Sequence, residues 1–196
     1  MYKLHSCKWP KSRGMTVTLG LLALILSLLF SGSALGDCPQ PPAQGSQPYP
    51  NDLVDVFERA GTNRLGSNAA PVLPRINYGY PVVEEIASYV PCILLKAIGQ
   101  QEANGWKQFA ASYGQTGPTV INVNQQTGTC GYGVMQITTG MGGAQGSDPN
   151  IVPSRVAAEP SYNIGTGAYM LVQKWNDVPS YVGNNNPHVA EDWYFA

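Results

Sequence analysis

Glu102 and the run Gly131-Tyr132-Gly133-Val134-Met135-Gln136-Ile137 hold the residue types in this chain best suited to chemistry. Leu95 and Ile98 precede Glu102 at seven- and four-residue spacing, so on a helix all three share one face. A carboxyl group pointing where Leu and Ile point is disfavoured in its charged form, which suits a general acid working near neutral pH. Other chemistries find little support. Beyond the N-terminal region His188 is the one histidine, and nothing near it suggests a nucleophile for Ser-His or Cys-His catalysis. No Cys/His spacing resembles a zinc site, so neither a metal nor a cofactor is expected. The glycine-rich stretch Gly140 to Asn150 has no phosphate-binding pattern and reads as a flexible rim.

Helices and a hairpin must position these residues. Pro91 and Cys92 open the helix that ends near Glu102, with proline where its missing N–H is harmless. Pro118 to Asn124 is β-prone, and Gln125 to Gly128 supply a turn into a second extended piece that leads to Gly131. Pro160 opens a long helix with Ile164, Ala168, Leu171 and Trp175 on one face. Gly165 and Gly167 within it fit best where another backbone packs close. Asn51 or Asp52 caps a short helix carrying Leu53, Val56 and Phe57. The spacing of Val82, Val83, Ile86 and Val90 predicts a helical stripe, with Glu84 and Glu85 on the solvated side. Asn186 and Pro187 read as the start of a last helix carrying Val189, Trp193 and Tyr194.

The domain organisation follows from composition. Lys3, Lys8, Lys11 and Arg13 precede the apolar stretch Val17 to Phe30, and Ala34-Leu35-Gly36 follows. That is the order of a secretory signal peptide over residues 1–36, and it implies export out of the cytoplasm to the cell envelope or beyond. Residues 37–51, rich in Pro, Gln, Gly and Ser, read as an extended linker, and 52–196 as one folded domain. Removing four of the 11 basic residues with the signal leaves 7 against 12 acidic ones, a net charge of −5. Such a chain has no basic stripe for nucleic acid and no electrostatic pull toward anionic membranes. Export permits disulfides, and Cys38, Cys92 and Cys130 remain. A Cys92–Cys130 bridge would pin the Glu102 helix to the Gly-Tyr-Gly run; the alternative is two small buried thiols.

Three segments together resemble the soluble-lytic-transglycosylase branch of the lysozyme-like superfamily, which includes goose-type lysozymes. Ile98-Gly99-Gln100-Gln101-Glu102-Ala103 is similar to the family's catalytic-glutamate segment, with Ala103 where a serine is usual. Gly133-Val134-Met135-Gln136-Ile137 resembles its Gly-Leu-Met-Gln-Ile segment, and Tyr162-Asn163-Ile164 with Gly167 resembles its Asn-Ile-x-x-Gly helix. The resemblance covers roughly Val82 to Ala196. It implies a mainly α, α+β lysozyme-like fold: a helical bundle with a small β-hairpin beside an active-site groove. The family's fourth segment would lie just past Ala196, so the reading is of a domain shortened at its C-terminus.

The implied activity is cleavage of the β-1,4 bond between N-acetylmuramic acid and N-acetylglucosamine in peptidoglycan strands, leaving a 1,6-anhydro ring. Glycoside hydrolysis ordinarily needs two carboxylates. Here no Asp or Glu occurs between Ala103 and Tyr132, and the next is Asp148. A lone Glu102 favours a route in which the sugar's own 6-hydroxyl closes the ring. Gln136 and Asn163 are expected to orient the sugar through amide hydrogen bonds. Gly133 is expected to allow close backbone approach, Met135 to form wall, and Trp106 and Tyr132 to offer rings for stacking. The alternatives are a hydrolytic goose-type muramidase using Asp148 and an inactive glycan-binding protein.

Overall fold

The computed structural model of the chain describes residues 38–79, 81–177 and 185–193, so the signal-peptide reading of 1–36 lies outside the described residues. Helix α1 (Pro50–Gly61) starts at a proline and buries Leu53, Phe57, Ala60 and Gly61. The Asp52 carboxylate accepts the Tyr49 backbone N–H at 3.1 Å, closing its first turn. Helix α2 (Cys92–Ala103) follows Pro91 and buries Leu95, Gly99 and Ala103. It stops where Asn104 turns left-handed, at φ 43°. A Cβ on Gly99 would lie 3.2 Å from both Phe57 and Val134, so the small residue lets α2 sit close to α1 and to the Gly133 turn. After the short α3 (Pro153–Ala158), α4 (Pro160–Asp177) runs through the core, and every residue from Tyr162 to Tyr169 on it is buried. Helix α4 packs on α1, α2 and α3, as a helix buried on all sides must.

Among the described residues six short strands pair as three two-stranded antiparallel sheets. These are β1 (Gln44–Ser46) with β4 (Thr116–Pro118), β2 (Ile76–Tyr78) with β3 (Glu84–Ile86), and β5 (Ile121–Asn124) with β6 (Thr129–Tyr132). The β5–β6 hairpin is the one read from sequence, with Val123 opposite Cys130 and Ile121 opposite Tyr132. The fold is therefore mixed α/β, with helices supplying most of the core and sheets bracing its edges. Complete burial of Phe57 and Leu95 contributes about 2–3 kcal/mol each. Among the described residues no helix is long and apolar enough to cross a membrane.

Four expectations are corrected. Residues 38–49 of the supposed linker are part of the folded unit: β1 pairs with β4, Gln47 is fully buried, and Cys38 forms a disulfide with Cys130. Low hydrophobicity hid this, because the segment docks through backbone and amide bonds rather than an apolar face. The stripe from Val82 to Val90 is not helical. Glu84–Ile86 is a strand, and Val82 and Val83 are exposed. Pro81 and Pro91 leave little room for a helix, and β-branched residues fit the pleat. The Gly140–Asn150 loop is tied down rather than loose: Met141 is fully buried, and the Gln145 side chain bonds both backbone groups of Cys130. At the far end, Ala190–Trp193 form a 3₁₀ turn, not the start of an α-helix. The Asp192 carboxylate accepts the Asn186 N–H at 2.8 Å, and the Trp193 ring lies 4.4 Å from that of Trp175.

Candidate functional site

The site is built around a turn. Leaving β6, the chain reverses through Gly133 (φ 67°) and Gln136 (φ 46°), and Tyr132 and Ile137 exchange two backbone hydrogen bonds of 3.1 Å. Gly133 is required twice over. Its φ is left-handed, and a Cβ there would stand 2.3 Å from Gln108 Oε1. Two buried amides hold this turn from behind, and a third fixes the backbone of one of them. Asn163 on α4 accepts the Met135 N–H at 2.8 Å and donates to the carbonyls of Tyr132 (2.7 Å) and Val156 (3.1 Å). Gln108 accepts the Val134 N–H at 3.2 Å and donates to the carbonyls of Val156 and Ala157. Gln47 accepts the N–H groups of Gln108 and Phe109 and donates to the Trp106 carbonyl at 3.1 Å. The chain just past α2 and the Gly133 turn are thus fixed to one another, with each amide's donors and acceptor used.

In front of the turn lies a cleft of about 150 Å³, lined by Ile98 of α2, by Met135, Gln136 and Thr138, and by Gly167 and Met170 of α4. A Cβ on Gly167 would meet Met135 Cε at 2.8 Å, so this glycine lets the turn lie against α4. Glu102 stands one helical turn beyond Ile98, about 6 Å further along the axis. It is exposed, and among the described residues no side chain pairs with it. Helical spacing correctly sets its angle about α2 but not its depth: Leu95 is buried, Ile98 lines the cleft, and Glu102 lies past the edge of the core. The expectation that apolar neighbours enclose its carboxyl is not met.

Met135 and Gln136 line the cleft, and Glu102 stands one turn of α2 beyond it. The Gln136 side chain folds back to donate to the Gly133 carbonyl at 2.7 Å, which leaves its Oε1 buried with no hydrogen-bond partner. That oxygen lies against Gly131, where a Cβ would stand 2.7 Å from it. Asn163 does not reach the cleft; it is fully buried and acts by holding the turn, correcting its assignment as a sugar contact. Tyr132 is likewise fully buried, its hydroxyl donating to the Gln40 carbonyl at 3.0 Å and accepting the Gln40 N–H. Burial pushes that hydroxyl's pKa above its ordinary 10.0, with the Gln40 bond opposing. Trp106 packs against Phe57 at 5.0 Å and donates to the Lys96 carbonyl at 2.8 Å, so its indole is mainly structural. Gly133 serves the two amides behind it rather than a ligand in front.

One further assignment changes. The disulfide joins Cys130 to Cys38, and Cys92 is a free, half-buried thiol, so the expected Cys92–Cys130 bridge is overturned. Cys92 begins α2 while Cys130 lies on β6 opposite Val123, and the folded-in Cys38 reaches it first. Asp148 accepts from Asn150 (2.8 and 3.1 Å) and from the Tyr169 hydroxyl (3.3 Å). The Tyr169 pKa is raised, first by burial and then by the charge of Asp148. Sequence reading missed Gln47 and Gln108 altogether. Neither sits in a pattern that distinguishes a buried glutamine from the surface ones around it.

The chain matches no protein-family model, no curated protein and no solved structure.

Proposed function

We propose that this protein is an exported peptidoglycan lytic transglycosylase with a lysozyme-like arrangement of helices and hairpin, acting on glycan strands in the cell envelope. The observation that carries the reading is an exposed carboxylate, Glu102, one turn of α2 beyond Ile98 of a cleft whose own lining holds no carboxylate. Glu102 first donates a proton to the glycosidic oxygen linking the two sugars. It then takes the proton of the muramyl 6-hydroxyl as that oxygen attacks C1, closing the 1,6-anhydro ring. One group serves as acid and then base, and water is not consumed. A strand lying in the cleft covers Glu102 and supplies the desolvation that the free chain lacks. Gln136 turns its amide outward from the Gly133 carbonyl into the cleft, where Oε1, buried and unpartnered in the free chain, accepts from a sugar hydroxyl or acetamido N–H.

A hydrolytic mechanism would call on Asp148, which is already held by Asn150 and Tyr169. The deciding experiment is mass spectrometry of intact peptidoglycan digested by the exported chain, run beside Glu102→Gln. Anhydro-muramyl ends, absent with the variant, are the expected products. Reducing ends would replace the reading with a hydrolase, and an absence of products with retained binding would replace it with a glycan-binding protein.

A further inference from the structure

The rings available for stacking are not those suggested by the motifs. Tyr49 and Tyr113 lie with centroids 6.0 Å apart and planes inclined by 29°, and they are 56% and 37% exposed. Each rests beside a left-handed glycine. The Tyr49 hydroxyl would meet a Cβ on Gly114 at 2.9 Å, and the Tyr113 hydroxyl lies over Gly105, donating to its carbonyl at 3.5 Å. Lys107 places its ammonium 4.0 Å from the Tyr113 centroid and donates to the Ala111 carbonyl, with donors left over. The pair is thus fixed by these contacts while both rings stay partly exposed to solvent.

This platform lies near the C-terminal end of α2, which carries Glu102. Gly105 is three residues past Glu102, so their Cα atoms are at most about 11 Å apart. Tyr49 is two residues past Gln47, whose amide bonds the Trp106 carbonyl. Neither ring is needed for the core, and the α1 cap uses the backbone of Tyr49 rather than its side chain.

We propose that Tyr49 and Tyr113 form a stacking subsite for a further ring of a β-1,4-linked amino-sugar strand, beyond the bond that Glu102 attacks. The C–H face of the sugar lies on the rings and Lys107 donates to its hydroxyl groups. The subsite rests on the glycan-strand reading of the cleft and extends it.

The test measures binding separately from turnover. In a Glu102→Gln background, affinity for purified sacculi and for a tetrasaccharide of β-1,4-linked N-acetylglucosamine is compared with that of Tyr49→Ala/Tyr113→Ala and Tyr49→Phe/Tyr113→Phe. Loss of about tenfold in the alanine pair, with the phenylalanine pair binding like the parent, is the expected result. Equal binding by the alanine pair, equal loss in both pairs, or no binding by the parent would overturn the subsite. Should the alanine pair fail to fold, the Tyr49 and Tyr113 ring-proton resonances of the parent decide, and rings unmoved by the tetrasaccharide overturn it. Anhydro ends released by the Glu102 chain report on the cleavage reading independently. Products without tyrosine-dependent binding sink the subsite alone, and tyrosine-dependent binding without products sinks the cleavage alone.

Discussion

Glu102 and Asn163 illustrate two ways a polar residue becomes indispensable. Among the described residues no side chain pairs with Glu102, so replacing it disturbs little of the fold. Glu102→Gln is expected to lower anhydro-product formation by about 10²–10⁴-fold while leaving thermal unfolding unchanged. Asn163 has its amide fully used inside the core. Asn163→Ala strands the Met135 N–H and the Tyr132 carbonyl, and should cost about 3 kcal/mol in denaturant unfolding. Loss of activity in that variant would follow the fraction unfolded. An Asn163→Ala chain of normal stability and impaired binding would mean that the amide reaches the substrate after all.

At the scale of elements, the decisive join is between residues 38–49 and the β5–β6 hairpin. The Cys38–Cys130 bridge closes a span of 92 residues, and β1, Gln47 and the Tyr132 hydroxyl all act on the same segment. Reduction, or Cys38→Ser, is expected to destabilise the exported chain by about 4 kcal/mol through greater freedom of the unfolded state. Cys92→Ser should shift stability far less. Alkylation of the unreduced exported chain, followed by peptide mapping, should label Cys92 alone. Label on Cys38 or Cys130 would contradict the pairing. A chain beginning after Pro50 would lose β1 and Gln47 together, which makes the segment a poor place to cut despite its linker-like composition.

For the whole molecule, the titrating groups set the pH range of stability. The hydroxyls of Tyr132 and Tyr169 have raised pKa values in the folded chain, chiefly from burial. The folded state therefore holds these protons more tightly. Their stabilisation is fully present below the ordinary tyrosine value of 10.0 and is lost as pH rises through the folded values. Glu159 behaves oppositely: the Arg155 hydrogen bonds, 2.6 and 2.7 Å, lower its pKa, so its contribution is present above 4.5 and fades as pH falls through the folded value. Thermal melts across pH should show an alkaline decline that Tyr132→Phe makes shallower. An unchanged slope would remove the buried phenol as its cause.

Local order was legible in the sequence where periodicity and turn chemistry agree. The spans of α2, α4 and the β5–β6 hairpin follow from prolines at helix starts, apolar spacing and a Gly-ended turn, while α1 was legible as a helix but starts at Pro50, before the expected Asn51 or Asp52 cap. The angle at which Glu102 leaves its helix follows too, as does the need for small residues at Gly165 and Gly167, one against Ala70 and the other against Met135. Only the tertiary structure decided how far along its axis α2 leaves the core, and so that Glu102 is exposed. It alone chose Cys38 over Cys92 as the partner of Cys130, and it alone turned Gln108 and Asn163 inward to carry one turn of backbone, with Gln47 bracing Gln108. Periodicity reports which face a residue occupies, whereas depth, disulfide pairing and amide networks depend on segments far apart in the chain. Those are fixed when the segments meet, and no local pattern records them.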